Sequence, residues 1–466
     1  MREYNFDGLV GPTHSYAGLS RGNLASQTNA GKPANPRRAA LEGLSKMRFV
    51  AGLGVGQAVL PPQPRPSLRA LRQLGFRGTD EQILTAAATD PASGDLLLRL
   101  ASSAAAMWTA NAATCIPSDD SADGRLHLIP ANLTAMFHRS LEAATTTAVL
   151  RAIFADPAHF TVHDPLPGGA HFSDEGAANH TRLFPSPSQS KSPSPSPRPS
   201  PGARERLLAD SAVHLFAWGR GAFAPAAREP RLHPARQTLE ASQALARLGQ
   251  VHPRRALFPQ QEPRGIDAGA FHTDVLAVGN GNVLLLHELA FAEPQALLEE
   301  LRGLLGESFF PVLATEAELP AASAVKAYPF NSQLLTLPDG TQQILAPDEA
   351  REEPRARAFL DRVVSLGGPV KKVHFLSLRD SMQNGGGPAC LRQRIVLSEE
   401  ERKAVRARVF WDEALGGALE AWVHRHYRDR LTRDDLRDPK LVRETFTALD
   451  ELSALLELGS IYDFQR

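Results

Sequence analysis

Two kinds of pattern alternate along the chain: short runs crowded with β-branched and other apolar residues, and longer stretches whose apolar residues recur about every 3.6 positions. The segment VFWDEALGGALEAWVHRHY (409–427) has the second spacing and is predicted to be a helix. Just before it, Ser398 and Glu401 stand three residues apart in the order of a capping box, which predicts the start of another helix. FHTDVLAVGNGNVLLLHELAF (271–291) instead gives two β-rich runs on either side of Gly279-Asn280-Gly281-Asn282. Asn-Gly dipeptides favour the positive φ angles of tight turns, so this segment is predicted to be a hairpin. QILAP, VKKVHFLSL and RQRIVL add further strands. The fold class that follows is mixed α/β. No sequence repeat of fixed period accompanies it.

Length and charge narrow the picture. At 466 residues the chain has room for two or three domains of ~150 residues, although closed α/β assemblies run longer as one unit. Lys plus Arg number 51 and so do Asp plus Glu, so the broad positive field that draws a protein to nucleic acid or an anionic membrane is missing. A small-molecule partner is expected. Two cysteines, Cys115 and Cys390, make neither a disulfide framework nor a four-thiolate zinc site. The start MREYNFDGLV has no apolar signal core, and the most apolar run, FVAGLGVGQAVL at 49–60, is too short to span a membrane. A cytoplasmic location is expected. One segment has a composition of its own: Pro185 to Pro201 reads PSPSQSKSPSPSPRPSP, which cannot bury an apolar face. It is expected to be a disordered surface insertion at about 185–201, with an interdomain linker as the competing reading.

Several residue groups carry potential chemistry. His272 and Asp274 are one residue apart in the first run of the predicted hairpin, so period-two alternation would aim both at one sheet face. A base and a cation-binding carboxylate suit that placement, and so does an ordinary structural role. Cys390 follows Gly385-Gly386-Gly387-Pro388, where glycines permit unusual φ angles and close approach by a ligand. Free cysteine is also among the most buried residue types, so a core role competes. Asp174, Glu175, Asn179 and His180 bunch immediately before the Ser/Pro run, but neither they nor His424 and His426 form an HExxH-type metal pattern. No metal site is expected. Gly18-Leu19-Ser20-Arg21-Gly22 matches the G-x-S-x-G expression of a serine-hydrolase elbow only loosely, because a convincing strand before and helix after the serine are missing. Gly52-x-Gly54 fails the dinucleotide-binding pattern, with Gln57 at the third glycine's place.

Taken in order, NFDGLVGPTHSYAGLSRGN, MWTANAATC, NLTAMFHRSLEA, DEGAANHTRL, HPARQTLEAS, FHTDVLAVGN, YPFNSQLL, MQNGGGPACLR and LGSIYDFQR resemble the N-succinylarginine dihydrolase family of the pentein superfamily nearly end to end. The Ser/Pro run stands outside those motifs. The resemblance implies a pentein five-bladed α/β propeller, with ββαβ modules around a central site, in which all of residues 1–466 form one catalytic domain. It implies Cys390 as nucleophile, His272 as acid/base, Glu175 as the carboxylate orienting the histidine, and Asp274 as the holder of the substrate guanidinium. Implied substrate-binding positions are Ala17, Gly18, Leu19, Ser20, Arg21, Gly22, Asn23 and Ser26 in one segment, together with Asn111, His138, Arg139, Arg236 and Asn384. No metal or organic cofactor is implied, and a homodimer is.

The residue types suit that activity. A guanidinium carbon is a poor electrophile because its charge is spread over three nitrogens, so carboxylates must fix the cation while a thiolate attacks. A bound cation or a nearby protonated histidine stabilises the thiolate. The implied reaction converts succinylarginine and two waters into succinylornithine, two ammonia and carbon dioxide. Competing readings are an arginine or agmatine deiminase relative, which stops after one ammonia, and a non-catalytic pentein acting as a binding module.

Overall fold

A computed structural model describes residues 1–185, 207–224 and 228–466. The predicted insertion therefore lies, from residue 186 onward, outside the described residues. The hairpin sequence folds as expected, and so do four relatives of it. The strands in chain order are β1 (Arg2–Gly8), β2 (Gly56–Leu60), β3 (Ala113–Ile116), β4 (Leu126–Pro130), β5 (Phe160–Val162), β6 (His180–Leu183), β7 (Val213–Phe216), β8 (Ala256–Leu257), β9 (Ala277–Asn280), β10 (Val283–His287), β11 (Phe310–Ala314), β12 (Gln333–Thr336), β13 (Gln342–Pro347), β14 (Val370–Leu376) and β15 (Arg392–Leu397).

They form five three-stranded sheets, ordered β3-β4-β5, β6-β7-β8, β9-β10-β11, β12-β13-β14 and β15-β1-β2. In each, the first pair is antiparallel and the second parallel. A parallel neighbour requires a crossover, which a helix supplies in every case: Pro36–Gly52, Ala143–Ile153, Leu239–Leu248, Pro294–Leu305 and Pro354–Ser365. The result is five ββαβ modules, the pentein α/β propeller. The first strand of the fifth module comes from the far end of the chain, because β15 pairs with β1 from Arg2↔Leu397 to Asp7↔Arg392. The pairing of β15 with β1 thereby closes the ring.

Neighbouring modules meet through their first strands. Phe184 N–H donates to Gly281 O beside β6 and β9, Asn280 Nδ2 donates to Leu334 O between β9 and β12, Arg394 donates from β15 to Leu334 O, and Gln393 Nε2 donates to Cys115 Sγ on β3. Apolar residues pack between each sheet and its helices, as Phe6, Leu44 and Trp422 do in one cluster and Leu284, Leu301 and Phe359 in another.

Two local expectations are corrected. The helix predicted over 409–427 runs only over Glu413–His426, with Asp412 accepting from Leu415 N–H as its N-cap. The bulky Val-Phe-Trp start extends along β2 instead, where Val59 N–H donates to Val409 O and Trp411 N–H to Gln57 O. His272 and Asp274 are not in the hairpin strand: β9 begins at Ala277, and the two residues flank Thr273 at the start of a single 3₁₀ turn, Thr273–Val275. Strand alternation therefore does not set their directions. Within the hairpin, Gly281 takes the positive φ, +59°. The capping box of Ser398 and Glu401 forms with both of its hydrogen bonds.

Beneath β1, Lys46 on the first crossover helix forms a fully buried ion pair with Asp7, whose other oxygen accepts from Gln57 Nε2 at 3.0 Å. Removing one partner of such a pair leaves an uncompensated charge and costs ~3–5 kcal/mol, whereas replacing both costs far less. Lys46→Met should therefore lower the melting temperature sharply, and adding Asp7→Asn should restore most of the loss. Calorimetry of the two variants checks this.

Candidate active site

The chemistry-bearing residues gather at one end of the ring, each just before the first strand of a module. Asn111 precedes β3, Glu175 precedes β6, His272 and Asp274 precede β9, Asn331 precedes β12, and Cys390 precedes β15. Short 3₁₀ turns at 109–111, 176–179 and 273–275 deliver three of these groups, so the chain turns inward before it straightens.

His272 Nε2 lies 2.6 Å from Glu175 Oε2, and both side chains are buried. Burial works to raise the Glu175 pKa, but the His272 hydrogen bond and the charges of His272, Arg236 and Arg139 outweigh it and hold the carboxylate well below its usual range. Burial moves His272 the other way, down to about 4 against the pull of Glu175, with Arg236 and Arg139 assisting. At neutral pH the pair is a carboxylate and a neutral imidazole. His272 Nδ1 has no hydrogen-bond partner among the described residues. The Glu175 loop is held by Asn111 Nδ2, which donates to Glu175 O at 2.7 Å, and by Gln237 Oε1, which accepts from Glu175 N–H at 2.7 Å. Asn179 Oδ1 ties this loop to the His272 turn by accepting from Thr273 N–H and Oγ1.

Cys390 Sγ donates to Asp274 Oδ2 at 3.7 Å, a contact that joins the two remaining members of the group. Burial, then the Asp274 charge, pushes the thiol well above its usual pKa. Burial likewise raises Asp274 to about 7, against hydrogen bonding from Asn331 and Cys390 and the charge of Arg392. Asn331 braces both segments, since its Oδ1 accepts from Cys390 N–H at 3.3 Å and its Nδ2 donates to Asp274 O at 3.3 Å. The three glycines before Cys390 have a different use from the one expected. Only Gly385 takes a positive φ, +88°, and side chains rather than a ligand fill the space the glycines leave. A Cβ at Gly385 would meet Asn23 Oδ1 at 1.9 Å, and one at Gly386 would meet Trp108 Nε1 at 2.1 Å.

The other expected positions cluster around this centre. The segment from Ala17 through Gly18, Leu19, Ser20, Arg21, Gly22 and Asn23 to Ser26 is a loop entering a short helix, Leu24–Thr28, capped by Asn23. No strand precedes Ser20, which rules out the hydrolase-elbow geometry. Ser20 Oγ is 3.2 Å from His138 Nε2, and Asn23 Nδ2 donates to Asn384 O at 3.1 Å. Arg236 stacks over Phe271 at 4.7 Å, donates to Arg21 O at 2.8 Å, and comes within 3.6 Å of Glu175 Oε2. Arg139 is already held by Glu142, through Nε at 2.8 Å and Nη2 at 3.3 Å. Asp174 and His180 do not join the centre: Asp174 is held by Gln237 Nε2 and Gly176 N–H, and His180 faces His214 at 2.9 Å. His424 and His426 sit on the far helix, where His426 pairs with Glu451. Among the described residues no group of three His, Cys, Asp or Glu side chains could hold a metal ion.

Sequence reading missed Asn331, Trp108 and Gln237, which act by bracing, and Arg392, which lies behind Asp274. For Arg392 a signal existed: the alternation Arg392-Gln393-Arg394 puts two arginines on one face of a strand whose second half is apolar.

The arrangement joins a thiol, a carboxylate-oriented histidine and a carboxylate without a cationic partner, the set that nucleophilic attack on a cation requires. Comparison with known proteins agrees with it. The chain is 62% identical over 466 residues to the N-succinylarginine dihydrolase of Myxococcus xanthus, with 100% of both chains covered. It is 49% identical over 465 residues to that of Aeromonas hydrophila and 50% identical over 466 to that of Chromohalobacter salexigens, in each case with 100% of this chain and 99% of the relative covered. The succinylarginine dihydrolase family model matches residues 1–191 and 205–465, breaking only within and just beyond the Ser/Pro run, and the chain belongs to that family.

Proposed function

We propose that the protein hydrolyses the guanidinium group of N2-succinylarginine, giving N2-succinylornithine, two ammonia and carbon dioxide from two waters. The observation that carries this reading is the Cys390–Asp274 contact beside the Glu175–His272 pair, in a site whose carboxylates outnumber the cations touching them. A guanidinium completes the charge balance. Its arrival beside Asp274 removes the electrostatic reason for the thiol to stay protonated, and Cys390 passes its proton to the neutral His272. The thiolate attacks the guanidinium carbon, and His272 returns the proton to the leaving nitrogen. Held by Glu175 in one tautomer, it then activates water against the cysteine-bound intermediate to give the ureido compound. A second round at Cys390 with the second water releases the second ammonia and leaves a carbamate that loses carbon dioxide. Desolvation serves this sequence because the same contacts are stronger where water is excluded. Arg236 and the loop at 17–26 receive the succinyl end of the substrate, and Arg236 Nε, without a hydrogen-bond partner among the described residues, suits a carboxylate.

The same reading takes residues 1–466 as one catalytic domain, supported by the ring closure of β15 on β1. It takes the protein as cytoplasmic, with a small-molecule substrate and with neither nucleic acid nor membrane as a partner. Among the described residues no helix is long and apolar enough to cross a membrane. A homodimer is part of the reading on family resemblance alone.

Purified protein given succinylarginine should release two ammonia per substrate consumed, and Cys390→Ala should lower kcat by at least ~10³-fold with the fold intact by circular dichroism. One ammonia per substrate would favour a deiminase instead.

Asp274 links function to stability. Its pKa is raised above the ordinary 3.8 to about 7, so the folded protein prefers the protonated form, and stability falls as pH rises from about 4 to 7. Asp274→Asn should therefore melt higher than wild type at pH 8, by at most ~4 kcal/mol, and nearly alike at pH 4. Substrate binding needs the ionised form, so wild-type kcat/KM should fall as pH drops through about 7 and that limb should vanish in the variant, whose kcat/KM is low throughout. Melting curves and rates at the two pH values check both signs.

A further inference from the structure

Between the first strands of the modules, beside Asp274, lies a cavity of about 90 Å³. First strands of four modules wall it, and Arg182, Arg392, Arg394, His180 and Asp274 line it together with Cys115. Two of the three arginines have a carboxylate within ion-pair distance. Arg182 forms a forked contact with Asp120 at 2.5 and 3.2 Å. Arg394 donates to Gly279 O and Leu334 O, and its Nε lies 3.4 Å from Glu3.

Arg392 has none. It is 8% exposed, its Nε is buried without a partner, and among the described residues its guanidinium makes no hydrogen bond or ion pair. None of the carboxylates around it touches it. Asp7, opposite Arg392 in the β1–β15 register, is taken by Lys46 and Gln57, Glu3 by Asn5, Asn280 and Arg394, and Asp274 Oδ2 by the Cys390 thiol, while Asp274 Oδ1 has no hydrogen-bond partner among the described residues. A buried cation without a contacting counter-charge is unfavourable. Burial and the neighbouring Arg394 accordingly pull Arg392 down to about 9. A guanidinium with no contacting counter-charge, in a space with room for several water-sized groups, can take one small anion.

We propose that this axial cavity binds a single small inorganic monoanion, of chloride to bicarbonate size, against the Arg392 guanidinium. The inference is independent of the proposed reaction. Asp274 also lines the cavity, so a cation held at Asp274 should favour the anion. If bicarbonate is the anion taken, the hydrated form of the released carbon dioxide would reach the back of its own site.

Bromide-soaked crystals of the full chain provide the direct test. An anomalous peak is expected in the axial cavity in contact with Arg392, absent in Arg392→Gln and present but weaker in Arg392→Lys. In parallel, replacing gluconate, too large for the cavity, with chloride or bicarbonate at constant ionic strength should raise the wild-type melting temperature saturably and leave that of Arg392→Gln unchanged. A response to both ions identifies a general monoanion site, and a response to bicarbonate alone identifies an oxyanion site. Should Arg392→Gln fail to fold, the wild-type bromide map and the lysine variant still decide. Absence of bromide from the cavity while surface bromides are seen, with coincident melting curves in all three salts, would overturn the proposal.

Discussion

Burial of carboxylates at the centre of the ring is the constraint on which the other features depend. Glu175 and Asp174 are inaccessible to water, and Asp274 is largely but not fully covered. A buried carboxylate stays charged only if cations and donors replace its water. Glu175 has His272, Arg236 and Arg139 around it and remains ionised. Asp274 has only a thiol, an amide and a distant arginine, and burial lifts it to about 7. Asp174 rises similarly, against the donors from Gly176 and Gln237. The site is thus short of positive charge on the Asp274 side, and a cationic substrate supplies what the fold withholds.

The propeller makes such a centre affordable. Each module buries its apolar face between its sheet and its own helix, so the axis need not be apolar to hold the molecule together. Five inner strands begin at the same end, and the residues just before them meet without any one segment having to supply the whole set. That is why Cys390 and Glu175, 215 positions apart in sequence, belong to one centre. The pairing of β15 with β1 places Cys390 by the same hydrogen bonds that close the ring, and the buried Lys46–Asp7 pair braces β1 from beneath.

Much of this was legible in the sequence, but unevenly. The hairpin at 277–287 and the capping box at Ser398 were readable because turn and cap chemistry is local. The motifs around Cys390, His272 and Glu175 marked a family and hence a set of neighbours. Equivalent positions of the five modules hold Asn111, Glu175, His272, Asn331 and Cys390, residues with different tasks, so the structural repeat left no sequence repeat to find. His272 and Asp274 looked like strand residues because their spacing fits a period of two, yet a 3₁₀ turn presents them. The glycines before Cys390 promised room for a ligand, and the room is taken by Asn23 and Trp108, which come from 367 and 282 positions away as counted from Cys390. Contacts of that range cannot be read from local pattern.

The central claim is that the site stays neutral at its thiol until a cation completes it. Thiolate absorbance near 240 nm, titrated in a Cys115→Ser background so that Cys390 is the only thiol, tests it most directly. Without ligand, the Cys390 thiol should remain protonated well above its ordinary range, and a non-hydrolysable guanidinium ligand should bring its titration down by several pH units. A thiolate already present in the free protein at pH 7, or a titration unmoved by the ligand, would contradict the account.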